Sequence, residues 1–128
     1  RKPAKTIPTR STVMLILRDA RQRVLLERRG LLGVWPGLWS LPEAADSGSA
    51  WSIAEKFARL DDAIALASFV HVFSHFRLDI EPLLFEGAVA HRGVADDSRQ
   101  RWCSPNELTT LGLPAPVREL LMKINEVI

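Results

Sequence analysis

The segment His71-Val-Phe-Ser-His-Phe-Arg-Leu-Asp-Ile80 sets Phe73, Ser74 and His75 side by side within an apolar run. An aromatic ring, a hydroxyl and an imidazole in one short stretch suit recognition by stacking and hydrogen bonding. Residues on either side (Phe69, Leu78, Ile80, Leu83, Leu84 and Phe85) read as strand. The triplet is therefore expected at a tip between two paired strands, where a rigid scaffold holds binding residues. Arg77 follows it, open to two roles: a phosphate contact, or an ion-pair partner for Asp79 or Glu81.

Catalytic alternatives find less support. A serine triad at Ser74 would need a histidine and an acid, and no nucleophile-elbow pattern surrounds it. Ser74 and His75 are adjacent, and neighbouring side chains on a strand point to opposite faces. Cys103 is the single cysteine, so neither an internal disulfide nor a four-cysteine metal site can form within the chain. It reads as a small buried residue. His71, His75 and His91 are separated by 4 and 16 positions, with no accompanying carboxylate or cysteine signature of a metal site. The chain is expected to hold no catalytic residue, no metal and no cofactor of its own.

At 128 residues the chain has the length of one domain. Its 47% hydrophobic and 25% charged content is that of an ordinary globular protein. No apolar run approaches the roughly 18 residues of a membrane span, and Arg1-Lys-Pro-Ala-Lys5 lacks the apolar core of a signal peptide. A cytoplasmic, bacterial-type location is the expectation. The net charge of +2 is uneven: residues 1–10 carry four basic residues and no acid, leaving −2 on the rest. Arg18, Arg21, Arg23, Arg28 and Arg29 outnumber Asp19 and Glu27 in a second basic stretch, which reads either as a phosphate-attracting patch or as solvated surface.

Residues 1–11, with Pro3 and Pro8 among Lys, Arg and Thr, read as a basic interdomain linker of a longer protein, followed by a domain over 12–128. Thr12–Leu17 and Arg23–Glu27 are expected to pair as a hairpin, the first strand covered on both faces because it is almost continuously apolar. Trp51, Ala54, Phe57 and Ala58 recur at helical spacing and predict a helix over 50–60. Strands are expected at 66–73, 76–86 and 99–103. Ser104-Pro-Asn-Glu107 is a capping box opening a short helix. A last helix from Ala115 presents Val117, Leu120, Leu121 and Ile124 on one face. Together these predict an α+β domain with a mixed sheet packed between helices.

Gly33-Val-Trp-Pro-Gly-Leu-Trp-Ser-Leu-Pro-Glu43 resembles the approach to the Nudix motif, in which a glycine-rich turn leads to a helix of metal-binding glutamates. Here the predicted helix offers Glu55 with Lys56 and Arg59, and Asp61 and Asp62 only at its end. The Arg-Glu…Glu-Glu-x-Gly core is absent. The resemblance implies a Nudix-like fold without the catalytic box, Glu55 being a solvated helix residue. Trp35 and Trp39 are assigned to packing.

Three segments together resemble the C-terminal domain of MutY-family adenine DNA glycosylases. They are Gly33–Pro42, His71–Ile80 and Gly112-Leu-Pro-Ala-Pro-Val-Arg-Glu-Leu-Leu121, in the same order, the likeness running from Thr12 to Ile124. Leu41 departs from the pattern, where the family often carries an aromatic. The resemblance implies a nucleoid-associated domain that reads 8-oxoguanine opposite mispaired adenine in double-stranded DNA. Excision, in that family, belongs to a separate N-terminal domain with a carboxylate catalyst and a 4Fe-4S cluster. Phe73, Ser74, His75 and Arg77 are the expected DNA- and lesion-binding residues. Phe73 is either a wedge at a base step or part of the core. His75 either donates to a phosphate or base edge, or bonds a nearby carbonyl. A divergent nucleoside-diphosphate hydrolase is the alternative reading, and a protein-interaction module a third.

Overall fold

A computed structural model describes residues 7–31, 34–91 and 99–126 of the chain. Along it run β1 (Thr9–Arg18), β2 (Val24–Arg28), β3 (Trp39–Ser40), β4 (Glu43–Ala44), α1 (Ser47–Ala54), β5 (Ala58–Arg59), β6 (Ile64–Ala65), β7 (Phe69–Val72), β8 (Arg77–Glu86), β9 (Val89–Ala90), β10 (Gln100–Cys103), α2 (Pro105–Leu108) and α3 (Ala115–Glu126). The main sheet has the order β10-β2-β1-β8-β6, with β7 also paired to β8, β3 to β2 and β4 to β1. Strands β5 and β9 form a separate antiparallel pair.

The sheet is mixed because β1 and β8 run parallel over their full ten residues, from Thr9 beside Arg77 to Arg18 beside Glu86. The other pairings are antiparallel. Alternation along β1 divides the core: Val13, Leu15 and Leu17 pack with Ala50 and Ala54 of α1, and Met14 and Ile16 pack with Val117, Leu120, Leu121 and Ile124 of α3. The expected coverage of β1 on both faces is observed, giving helix, sheet and helix in three layers.

Three boundaries differ from those read in the sequence. β1 begins at Thr9, so residues 9–11 of the expected linker are strand, held to β8 by the parallel ladder; residues 1–6 lie outside the described part. The helix expected at 50–60 spans Ser47–Ala54. Asp46 caps it by accepting from the Ser49 amide at 2.8 Å, and Phe57 and Ala58 leave the helix, Ala58 entering β5. The strand expected at 66–73 is shorter, β7 at Phe69–Val72, and the two-residue β6 precedes the expected range; both pair with β8. The Ser104 capping box closes as expected, Ser104 Oγ accepting from Glu107 N and Glu107 accepting from Ser104 N.

Candidate nucleic-acid interface

β7 and β8 are joined by Phe73–Phe76, the tip that the sequence pattern anticipates. The Phe73 amide donates to the Phe76 carbonyl at 2.8 Å and closes the loop, leaving Ser74 and His75 at the apex, both exposed. Among the described residues, neither apex side chain bonds to protein. Their hydroxyl and imidazole are available to a ligand.

Beneath the apex lies a cluster of rings. Phe73 is half-buried and stacks on buried Phe76, with centroids 4.6 Å apart and planes 21° from parallel. It meets His71 edge-on at 4.7 Å and Trp35 at 5.3 Å; Trp35 lies 5.7 Å from His71. His71 and Phe73 share a face because they are two residues apart on an extended chain. Arg10 of β1 places its guanidinium carbon 4.5 Å from the Phe76 ring centroid, a cation–π contact. Arg77 is exposed and in no ion pair among the described residues, so it is not a partner of Asp79 or Glu81.

Trp35, His71 and Arg10 thus join the site; Trp35 also packs against the core as expected, whereas Arg10 lies on β1 rather than in a linker. The alternation of β7 could have indicated His71. Nothing local indicates Trp35, which reaches the tip from the loop between β2 and β3. Trp39, on β3, is packed against the core as expected.

The basic stretch 18–29 is largely ion-paired within the fold. Arg18 pairs with Glu86, Arg23 with Asp19 and Arg29 with Glu43, so three of its five cations are neutralised locally.

The other candidates stand apart from the tip. Cys103 is fully buried, and burial pushes its thiol up to about 11. His91 Nε2 donates to the Glu55 carbonyl oxygen at 2.8 Å, beside the end of α1. Among the described residues no three His, Cys, Asp or Glu side chains converge as a metal-holding group. A cleft of about 540 Å³ beside the start of α1 is bordered by Asp46, Asp79 and Glu81. A second, more apolar one of about 880 Å³ lies between β6–β7 and α3. No helix among the described residues is long and apolar enough to cross a membrane.

The NUDIX domain family matches the chain over residues 12–123. The chain belongs to this family. Its NUDIX domain is 25% identical to an adenine DNA glycosylase of Buchnera aphidicola subsp. Acyrthosiphon pisum over 119 residues, 91% of this chain and 33% of that protein. It is 23% identical to the adenine DNA glycosylase of Buchnera aphidicola subsp. Baizongia pistaciae over 128 residues, 98% of this chain and 36% of that one. The chain therefore spans about a third of the length of the curated relatives it matches. The fold is that of the C-terminal domain of mouse MUTYH, solved with human PCNA: TM-score 0.74, 15% identity, 91% of this chain and 87% of that one. It is also that of Shewanella oneidensis NrtR solved with a 27mer DNA, at TM-score 0.71 and 18% identity over 90% of this chain and 60% of that one. A MutT protein from Methanosarcina mazei Go1 matches at TM-score 0.64 and 16% identity, over 96% and 97%. One NUDIX scaffold thus carries several functions, and the site must decide among them.

Proposed function

We propose that this NUDIX domain is the non-catalytic lesion reader of an adenine DNA glycosylase, recognising 8-oxoguanine opposite mispaired adenine. The observation that carries the reading is an exposed Ser74–His75 apex on an aromatic platform, in a chain whose sequence relatives are adenine DNA glycosylases. Guanine offers N7 as an acceptor in the major groove. Oxidation at C8 turns N7 into an N–H donor and adds a carbonyl acceptor. Ser74 Oγ meets either demand, since a hydroxyl has one donor and two acceptor lone pairs.

His75 serves as donor to a phosphate or base edge, and Arg10 and Arg77 supply cations beside the tip for phosphates. Phe73 is the wedge. Its ring is half-buried, so its exposed side presses against a base step while the ring stays stacked on Phe76. The distortion favours extrusion of the adenine opposite, which costs a few kcal/mol of unstacking. Excision, and the 4Fe-4S cluster, belong on this reading to an N-terminal domain of the same polypeptide, acting in the cytoplasm on nucleoid DNA.

The test is an NMR titration of the isotope-labelled domain with two short duplexes, one containing 8-oxoguanine:adenine and one guanine:adenine. Shifts centred on Phe73, Ser74 and His75, and larger for the oxidised duplex, are expected. Equal and diffuse shifts would reduce the domain to a phosphate-binding appendage.

A further inference from the structure

Trp35 is one of two non-glycine residues with positive φ, at 51°, among the described residues. That left-handed conformation is strained for a residue with a Cβ and persists only where surrounding contacts hold it. The contacts are identifiable. Arg29 Nε donates to the carbonyl of Val34, immediately before Trp35, at 3.0 Å. The same guanidinium lies 6.0 Å from the Trp35 ring centroid. Its NH1 donates to Glu43 Oε2 at 2.6 Å, and Glu43 Oε1 accepts from Thr12 Oγ1 at 2.7 Å. Thr12 lies on β1 and Glu43 on β4, two strands paired to each other. A continuous line of contacts therefore runs from the sheet through Thr12, Glu43 and Arg29 to Trp35, and from Trp35 to Phe73 at 5.3 Å.

We infer that Glu43 and Arg29 are positioning residues, a brace that holds Trp35 in its strained conformation against Phe73 and so fixes the recognition tip. The inference rests on the lesion-reading function for its purpose, and on geometry for its existence. Glu43 closes the Nudix-like segment that begins at Gly33 and opens β4, just after β3. Here both oxygens of its carboxylate are engaged by protein donors, Thr12 and Arg29, and its side chain is about a quarter exposed. Arginine is required at position 29 because the Val34 carbonyl and the Glu43 carboxylate are reached from two different nitrogens of one planar fork. A lysine ammonium keeps the charge without that fork.

The experiment compares wild type with Glu43→Gln, Arg29→Lys, Trp35→Leu and the Glu43→Gln/Trp35→Leu double variant. Two readouts are taken: ring-to-ring NOEs between Trp35 and Phe73 in the free domain, and the affinity ratio for 8-oxoguanine:adenine over guanine:adenine duplexes. Glu43→Gln and Arg29→Lys should each weaken the NOEs and lower the ratio roughly threefold to tenfold. The double variant should lose no more than Trp35→Leu alone, because both act through one contact. Arg29→Lys keeps the positive charge, so its loss of discrimination separates positioning from general attraction to DNA. NOEs retained in both Glu43→Gln and Arg29→Lys, or losses that add in the double variant, would overturn the brace. A wild type without preference for the oxidised duplex, but with NOEs that vanish in both variants, would overturn the lesion-reading function and leave the brace standing.

Discussion

Phe73 and Phe76 stack 4.6 Å apart, 21° from parallel, and are also joined by a main-chain hydrogen bond of 2.8 Å, from Phe73 N to Phe76 O. The two residues that flank Ser74 and His75 are thus locked to one another by ring and by backbone. Phe76 belongs to the core under α3, and Phe73 packs against that core. An aromatic pair contributes about 0.5–1.5 kcal/mol beyond its area burial, and Phe73 makes three such contacts counting His71. The apex is therefore pre-shaped, and a ligand need not supply the whole cost of ordering it.

Ser74→Ala should separate recognition from stability. Ser74 is exposed and without a bond to protein among the described residues, so the thermal midpoint should stay within experimental error. In a glycosylase carrying this domain, discrimination for 8-oxoguanine:adenine over guanine:adenine should fall by about 0.5–1.5 kcal/mol, the worth of one neutral hydrogen bond. Competition binding with both duplexes measures it. Unchanged discrimination would remove Ser74 as the reading residue.

Much of the scaffold was legible because local chemistry and tertiary role agree. The apolar run of β1, the Ser104–Glu107 box and the Val117–Ile124 face of α3 each meet the environment their pattern implies. Spacing alone places α1 too late because Trp51, Ala54 and Phe57 keep helical spacing past its end. The stronger signal was Asp46 with Ser47 and Ser49, a cap that starts the helix three residues earlier than read. The tip was legible as residues but not as an assembly. Trp35 and Arg10 reach it from segments distant in sequence, and the parallel pairing of β1 with β8 that brings Arg10 alongside has no local signature.

Acid should weaken the far end of the same ladder. Arg18 is 3% exposed, donates Nε to Glu86 Oε1 at 2.7 Å, and bonds the other carboxylate oxygen through its NH2. That guanidinium holds the Glu86 carboxyl below its ordinary value of 4.5. A depressed folded-state value means the stabilisation is fully present above pH 4.5 and is lost as pH falls through the lowered value. Glu86→Gln leaves Arg18 buried without its counter-charge. A cost of about 1–3 kcal/mol at pH 7 is expected, well short of a fully buried pair because Glu86 is 46% exposed. Urea unfolding at pH 7 and pH 3 should show the gap between variant and wild type narrowing in acid. A gap independent of pH would assign the loss to packing.

Cys103 offers a probe of the opposite edge. Fully buried on β10, with its thiol raised to about 11, it should be almost entirely protonated at pH 8, about one thiolate in a thousand. Alkylation by iodoacetamide should be slow in the folded domain and reach the rate of a free cysteine in denaturant. Rapid labelling under native conditions would mean that β10 separates readily from β2.

The hydrolase reading makes a separate prediction, and the arrangement of α1 argues against it. A diphosphate hydrolase needs clustered carboxylates on this helix to hold divalent ions against the substrate. Ser47–Ala54 contains none, and Glu55 arrives only at the C-cap, exposed. The nearby cleft does present Asp46, Asp79 and Glu81, but these do not converge into a three-residue metal-holding group. Their negative charge would repel a diphosphate rather than seat it. A panel of nucleoside diphosphate and triphosphate substrates incubated with the domain and magnesium should therefore release phosphate or pyrophosphate no faster than buffer. Magnesium-dependent release that Glu55→Gln abolishes would restore the hydrolase and place its metal at the end of α1. Release that survives Glu55→Gln but fails in Asp79→Asn would move the metal into the cleft.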